Sequence, residues 1–264
     1  MRPVTYLSAL VPRRRGDTLP ATRLDRRGVA VDRDHLARYD RVCGFRLSDT
    51  LPATYPHVLA FPLAMRLMTG AGFPFAVIGL VHVANRITVH RPIGAGTLLD
   101  LSVHAAGLRP HRRGRQFDVV ATATVDGEPV WRGVSTYLRR EQAAGERRVA
   151  TEPRREAGAR WRIPAGTGGD YAAVSGDRNP IHTSRLGARL SGFARPIAHG
   201  MWSKARCLAA LAGRLPDQYT VDVAFRQPIL LPATVSFTAA PRDDGWDFTV
   251  ESARPHLAGQ LTHP

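Results

Sequence analysis

The sequence predicts an α+β fold built twice, two unequal copies of one unit in which antiparallel strands wrap a long apolar helix. Three observations carry this reading. Two parts of the chain repeat each other, each copy passes from helical to period-2 patterning, and a charged stretch without apolar period lies between them. A repeat has to be noticed first, because overlooking one misassigns the whole fold. Tyr39-Asp-Arg-Val-Cys-Gly44-Phe45 aligns with Tyr171-Ala-Ala-Val-Ser-Gly176-Asp177. Ile87-Thr-Val-His-Arg-Pro92-Ile93 aligns with Val223-Ala-Phe-Arg-Gln-Pro228-Ile229. A weaker match joins Pro56-His-Val-Leu-Ala60 to Pro196-Ile-Ala-His-Gly200.

Taken in order, the chain starts with an apolar stretch at residues 4–11, followed by Arg13, Arg14 and Arg15. A secretory signal carries its positive charge before the apolar stretch, so this one does not read as an export signal. A short helix then ends near Gly44, and Pro56 opens a long apolar helix. Residues 67–81 are the most membrane-like segment, but they are few and interrupted by Gly70, Gly72, Pro74 and Gly79. They are too short to span a bilayer and read as a buried helix leading into a strand. Strand alternation follows at residues 99–103, 117–125 and 130–138. Residues 139–160 are charged and rich in Ala and Gly, which marks a linker. The expected division is a first unit at 1–140, a linker at 141–160 and a second unit at 161–264. The second unit repeats the plan, with alternation at 235–239 and 246–250. A sheet with one apolar helix behind it must bury that helix on its concave face. Two such sheets joined edge to edge form one continuous antiparallel sheet around two central helices, a double hotdog.

Composition sets outer bounds. A chain of 264 residues, 44% hydrophobic and 22% charged, is ordinary globular material with enough length for a substantial core. Its net charge of +15 is unusual, and Lys204 is the only lysine among 37 basic residues. The arginines are scattered rather than gathered on one helix or arm, which argues against a nucleic-acid binder. Two distant cysteines, Cys43 and Cys207, exclude a disulfide framework and a cysteine zinc site, and suit a reducing cytosol. The expected location is the cytoplasm, with no membrane-spanning segment.

Chemistry concentrates in the second unit. Tyr171-Ala-Ala-Val-Ser-Gly-Asp177-Arg178-Asn179-Pro180-Ile-His182 is followed by Gly192-Phe193 and by Pro196-Ile-Ala-His199-Gly200-Met201. Asp-x-Asn-Pro-x-His alone reads as a turn. The whole constellation, from Ser175 to Met201, resembles the signature of the MaoC-like family of (R)-specific enoyl-CoA hydratases and 3-hydroxyacyl-thioester dehydratases. The likeness extends over essentially the whole chain, in the double-hotdog form of the actinobacterial dehydratases. The resemblance implies reversible addition of water across the 2,3 bond of a fatty acyl thioester. It implies a water held between Asp177 and His182, and a backbone oxyanion donor at Gly200.

The residue chemistry agrees with this implication. Pro180 disfavours helical geometry at Asn179, so Asp177 and His182 can converge across a loop. A carboxylate and an imidazole of tunable proton affinity can share acid–base work in both directions. Gly200 opens the second apolar helix, where backbone N–H groups lack partners and the dipole is positive. Close packing of helix on sheet is the competing reason for that glycine. Tyr171, Asn179, Arg178 and His199 are expected around the substrate: Tyr171 and Asn179 orienting the loop, His199 supporting it from behind, and Arg178 facing phosphate. No metal and no bound cofactor is expected, because the substrate arrives on coenzyme A or on an acidic acyl carrier protein.

The first unit departs from the pattern. Phe45 stands where Asp177 stands, five residues on from Phe45 is Thr50, and the loop to Pro56 is about eight residues shorter than its counterpart. It is expected to be a non-catalytic partner, with His57 and His90 as structural residues. The run Gly70-Ala-Gly-Phe73-Pro-Phe75-Ala-Val-Ile-Gly79 suggests room there for an acyl tail. The cluster Arg109, Arg112, Arg113 and Arg115 reads as a hairpin tip. The chain is an internal pseudo-dimer that can pair again as a homodimer. Two other readings compete: a hotdog thioesterase, and a non-enzymatic acyl-thioester-binding or assembly subunit. No Gly-x-Ser-x-Gly elbow suggests a serine hydrolase.

Overall fold

The computed structural model describes residues 18–141 and 158–263. The apolar stretch at residues 4–11, Arg13 to Arg15, and most of the linker lie outside the described residues. The first half runs β1 (Arg23–Val29), α1 (Arg33–Cys43), α2 (Tyr55–Thr69), β2 (Leu80–Val89), β3 (Leu99–His111), β4 (Gly114–Val125) and β5 (Glu128–Arg140). The second runs β6 (Ala159–Ile163), α3 (Thr167–Ser175), α4 (Pro180–Thr183), α5 (Arg185–Leu190), α6 (Gly200–Ala210), β7 (Tyr219–Phe225), β8 (Ala233–Arg242), β9 (Gly245–Glu251) and β10 (Pro255–Thr262).

The ten strands form one sheet in the order β1-β3-β4-β5-β2-β7-β10-β9-β8-β6, each neighbour antiparallel. The order reads the same from either edge, so the two halves are related by a pseudo-twofold axis at the β2–β7 seam. The register locates that axis. Arg86 faces Asp222 across the seam, and the two form an ion pair at 2.7 Å. They lie 136 residues apart, the same offset that aligns Ile87 with Val223 in the repeat. Equivalent positions thus meet on the axis itself, as a closed internal dimer requires. This is the double hotdog.

The helices follow from local sequence. Asp32 caps α1 by accepting from the His35 N–H at 3.0 Å. Gly44 and Gly176, aligned in the repeat, end α1 and α3 in the left-handed conformation, at φ 80° and 76°. A side chain is strained there, so both copies keep glycine. Helix α2 begins Tyr55-Pro56, and ten of its fifteen residues are buried. A helix apolar on nearly all sides belongs in a core, and α2 packs on β3 and β4. The β4–β5 turn is Asp126-Gly127 at φ 52° and 84°, a pair whose positive φ matches strand twist. Arg112 and Arg113 form the β3–β4 tip, as the arginine cluster suggested.

Two features differ from the sequence-based expectation. Strands β1 and β6 close the sheet at its two edges, and β6 starts at Ala159, inside the stretch read as linker. Both carry exposed charge instead of alternation, which is how edges are kept from pairing with other chains. The Gly- and Phe-rich run is core rather than an open groove. Phe73 and Phe75 are buried, and their rings contact Phe117 at 5.1 and 5.4 Å. The void behind α2, lined by His57, Phe61, Ser135 and Tyr137 among others, is about 10 Å³, room for about one water.

Candidate active site

The loop between α3 and α6 is held by a ladder of short-range bonds that begins at Gly176. The Asp177 N–H donates to Ser175 Oγ at 3.2 Å, and its carboxylate accepts from the Asn179 N–H at 3.2 Å. Asn179 has extended geometry, as a residue before proline should. Its side chain accepts from the Ile181 N–H at 3.3 Å and so caps α4, with Pro180 in the first helical turn. His182 therefore lies on a one-turn helix rather than on a loop. Farther along, Ile197 N–H donates to Ile181 O at 3.1 Å and Ala198 N–H to Ile229 O at 2.9 Å, which ties the approach to α6 to both sides.

This scaffold gathers Asp177, His182 and His199, whose nearest ligand-type atoms all lie within 4.8 Å of one another. His182 Nδ1 is 2.8 Å from Ile197 O. A carbonyl only accepts, so Nδ1 carries the proton and Nε2 keeps its lone pair. His199 Nε2 donates likewise to Asp177 O at 3.0 Å. The two imidazoles stack with centroids 3.6 Å apart. Burial lowers the pKa of His182, against the opposing pull of Asp177 and Ile197 O. Burial drives His199 down to about 3, with His182 adding to the effect. Both rings are neutral at neutral pH. The three groups are of metal-binding type, and each imidazole has one nitrogen fixed on a backbone carbonyl, which sets its tautomer and orientation.

The other expected residues sort by burial. Tyr171 is buried, with its ring 4.9 Å from His199, and supports the loop from below. His199, 3% exposed, also supports rather than lines the site. Arg178 is exposed beside Asp177. Gly200 opens α6, and its N-cap His199 makes no side-chain capping bond, so first-turn N–H groups remain for an incoming oxygen. A Cβ on Gly200 would come within 3.0 Å of the Phe225 ring. Close packing is thus part of the reason for glycine.

His57 and His82 approach the site from the first half, and the charge of Asp177 opposes in part the burial that lowers both imidazoles. Burial holds these imidazoles at about 4 and about 3. Their rings lie 6.5 Å apart, and His82 contacts Phe225 at 5.0 Å, the ring that rests on Gly200. The first half therefore contributes a wall of the site. No local signal marks His82, which reaches the site only because β2 pairs with β7. His90 is exposed, as its structural reading allows.

These neutral histidines, His199 buried and His57 and His82 half-buried, make stability depend on pH. Unfolded, each binds a proton below about pH 6.5, while in the fold His57, His82 and His199 stay neutral down to about 3–4. The unfolded state thus takes up more protons in that window, and stability falls as pH falls through it. One pKa unit corresponds to about 1.4 kcal/mol, so at pH 5 each group costs at most about 2 kcal/mol relative to pH 7. The urea midpoint should drop clearly between pH 7 and pH 5. An unchanged midpoint would show that these rings are not buried in neutral form.

A cleft of about 610 Å³ lies elsewhere, between Leu19–Pro20 and the β3–β4 hairpin, and contains none of these groups. No helix among the described residues is long and apolar enough to cross a membrane.

Comparison with known proteins agrees with this geometry. A sequence model of the MaoC-like domain matches residues 153–251. The 3-hydroxyacyl-thioester dehydratase X of Mycobacterium tuberculosis is 38% identical over 255 residues, covering 94% of this chain and 91% of that protein. A crystal structure of that protein, HtdX, superposes with a TM-score of 0.83 at 37% identity, covering 91% of this chain and 99% of the other. A 3-hydroxybutyryl-CoA dehydratase of Methylorubrum extorquens is 38% identical over 63 residues, 22% of this chain and 40% of that protein. With likeness running through both halves and the constellation at Asp177, His182 and Gly200 intact, the chain belongs to the MaoC-like dehydratase family.

Proposed function

We propose that this chain interconverts 3-hydroxyacyl and trans-2-enoyl thioesters by adding and removing one water. The observation that carries the reading is the neutral His182, its Nδ1–H fixed on Ile197 O and its Nε2 free to act beside Asp177. In hydration, Nε2 accepts a proton as the water oxygen bonds to C3, and the imidazolium returns a proton to C2. The Asp177 carboxylate orients the water and stabilises the imidazolium. The negative charge that gathers on the thioester oxygen meets the N–H groups at the start of α6, Gly200 first. Dehydration reverses each step. Asp177 and His182 suffice for this chemistry, and no cofactor takes part.

Both groups come from the single connection between α3 and α6 and work from one face, and with the family resemblance this supports a (3R)-hydroxy product. The test is hydration of a trans-2-enoyl-CoA, followed by loss of the enoyl-thioester absorbance, with chiral analysis of the product. Release of free thiol instead would support a thioesterase, and a mainly (3S) product would remove the stereochemical reading.

The closed core of the first half bears on the acyl chain. With Phe73 and Phe75 packed on Phe117 and only a water-sized void behind α2, short chains fit best. We expect kcat/KM not to rise beyond four to six carbons. Phe61→Ala, which widens the void, should shift preference toward eight carbons. A wild-type kcat/KM rising steadily with chain length would overturn this.

The carrier in this reading is coenzyme A or an acyl carrier protein, and the exposure of Arg178 beside Asp177 supports a role for it in meeting phosphate. The hairpin arginines are less available: Arg109 is paired with Asp118 and Arg115 with Glu141. Arg33, Arg86 and Arg242 are paired as well, which weakens the case for nucleic acid. The buried free thiols of Cys43 and Cys207 suit the cytoplasm.

A further inference from the structure

The only lysine in the chain is completely buried. Lys204 extends from α6 one turn after Gly200, and Cα–Cβ bonds in a helix tilt toward its start. Its Nζ donates to Asn85 O at 3.0 Å, to Val221 O at 3.0 Å and to Asn85 Oδ1 at 2.6 Å. Asn85 and Val221 are equivalent positions, 136 residues apart like Arg86 and Asp222. Nζ is therefore equidistant from two symmetry-related carbonyls at the seam, next in sequence to the Arg86–Asp222 pair. The Asn85 amide is turned by Ser135, since Nδ2 donates to Ser135 Oγ at 3.1 Å, and this leaves Oδ1 facing the lysine.

Three acceptors match the three N–H bonds of an ammonium and leave a neutral amine one donor short. All three are neutral, and no ion-pair partner touches the lysine; burial pulls its pKa well below the ordinary value, against three bonds that favour the ammonium. A charge on Lys204 also helps to keep His57 and His82 unprotonated. Stability does not account for it. A buried charge is costly, and one near a helix start also opposes the dipole. Nor does the fold require it: in the repeat Lys204 aligns with Ala64, and Asn85 with Val221. The device occurs once, on the helix of the half that carries Asp177 and His182.

We propose that Lys204 is an electrostatic positioning residue for the reaction, a buried cation that holds α6 on the seam and stabilises the negative charge forming on the thioester oxygen at the helix start. The proposal rests on the reading of that helix start as the oxyanion site. It differs from a purely structural clamp in one respect: removing the charge should cost rate and not stability.

The test is the double variant Lys204→Met with Asn85→Val, which removes the lysine together with its side-chain acceptor and copies the apolar partner found at Val221, at the loss of one donor to Ser135 Oγ. It should unfold at the wild-type temperature or above, lose roughly 10- to 100-fold in kcat for enoyl-CoA hydration, and keep KM within about threefold. A loss in kcat below tenfold in the folded variant would overturn the proposal. So would a variant too unstable to assay, since the lysine would then be kept for stability. Independently, wild-type protein labelled with ¹⁵N-lysine gives a single Nζ resonance, which must be that of an ammonium at assay pH; a neutral amine would also overturn it. Wild-type protein without hydratase activity would instead take down the dehydratase reading, and a rate indifferent to Gly200→Ala would take down the oxyanion reading.

Discussion

Asp177→Asn and His182→Ala should each lower kcat for hydration by roughly 10²–10⁴ with the fold intact. In the proposed mechanism the two groups act on one water, so the double variant should be little worse than either single one. The geometry supports different defects within that range. Without His182 its unprotonated Nε2 beside Asp177 is gone, whereas Ile197 O merely loses a donor. With Asp177→Asn the amide can still accept from the Asn179 N–H, so the loop should hold while the stabilising charge beside His182 is lost. Both defects belong in kcat rather than KM. Steady-state kinetics with circular dichroism as a folding control decides the matter, and near-wild-type turnover in either folded single variant would falsify the assignment.

Gly200→Ala should lower kcat by roughly 10², and the reason can be separated into two parts. The added methyl would lie within 3.0–3.1 Å of three atoms of the Phe225 ring, so the ring or the helix start must shift by a few tenths of an ångström. It would also crowd the N–H proposed to meet the thioester oxygen, and losing one such donor costs about 3–4 kcal/mol in the transition state. Shortening the ring with Phe225→Leu relieves the first effect and not the second. In the Gly200→Ala/Phe225→Leu double variant the unfolding temperature should recover while kcat stays low. Recovery of kcat together with stability would mean that the glycine serves packing alone.

Much of the fold was legible because a repeat is a statement about tertiary structure made in one dimension. Matching Ile87 with Val223 implies that positions 86 and 222 are equivalent, and an internal dimer must bring such positions together on its axis, where Arg86 and Asp222 are found. Gly44 and Gly176 were legible for the same reason, as one left-handed cap used twice. The edge strands β1 and β6 were not. Their residues are exposed and charged, and the strand conformation is imposed by β3 and β8 as neighbours rather than by any pattern of their own.

In the site, the sequence by itself determined the local chemistry: Asp177, Pro180, His182 and Gly200 lie within one stretch whose turns and caps follow from short-range rules. Only the tertiary structure decided what surrounds that chemistry. His57 and His82 approach the site from a half that lacks the motif, because β2 meets β7 and α2 packs near α3. The Gly- and Phe-rich run became core because Phe117 and Tyr137 stand opposite it. Lys204, which composition alone would place at the surface, is buried because acceptors 17 and 119 residues away converge on its ammonium. Charge and burial are properties of neighbours in space, and a chain read in order shows only neighbours in sequence.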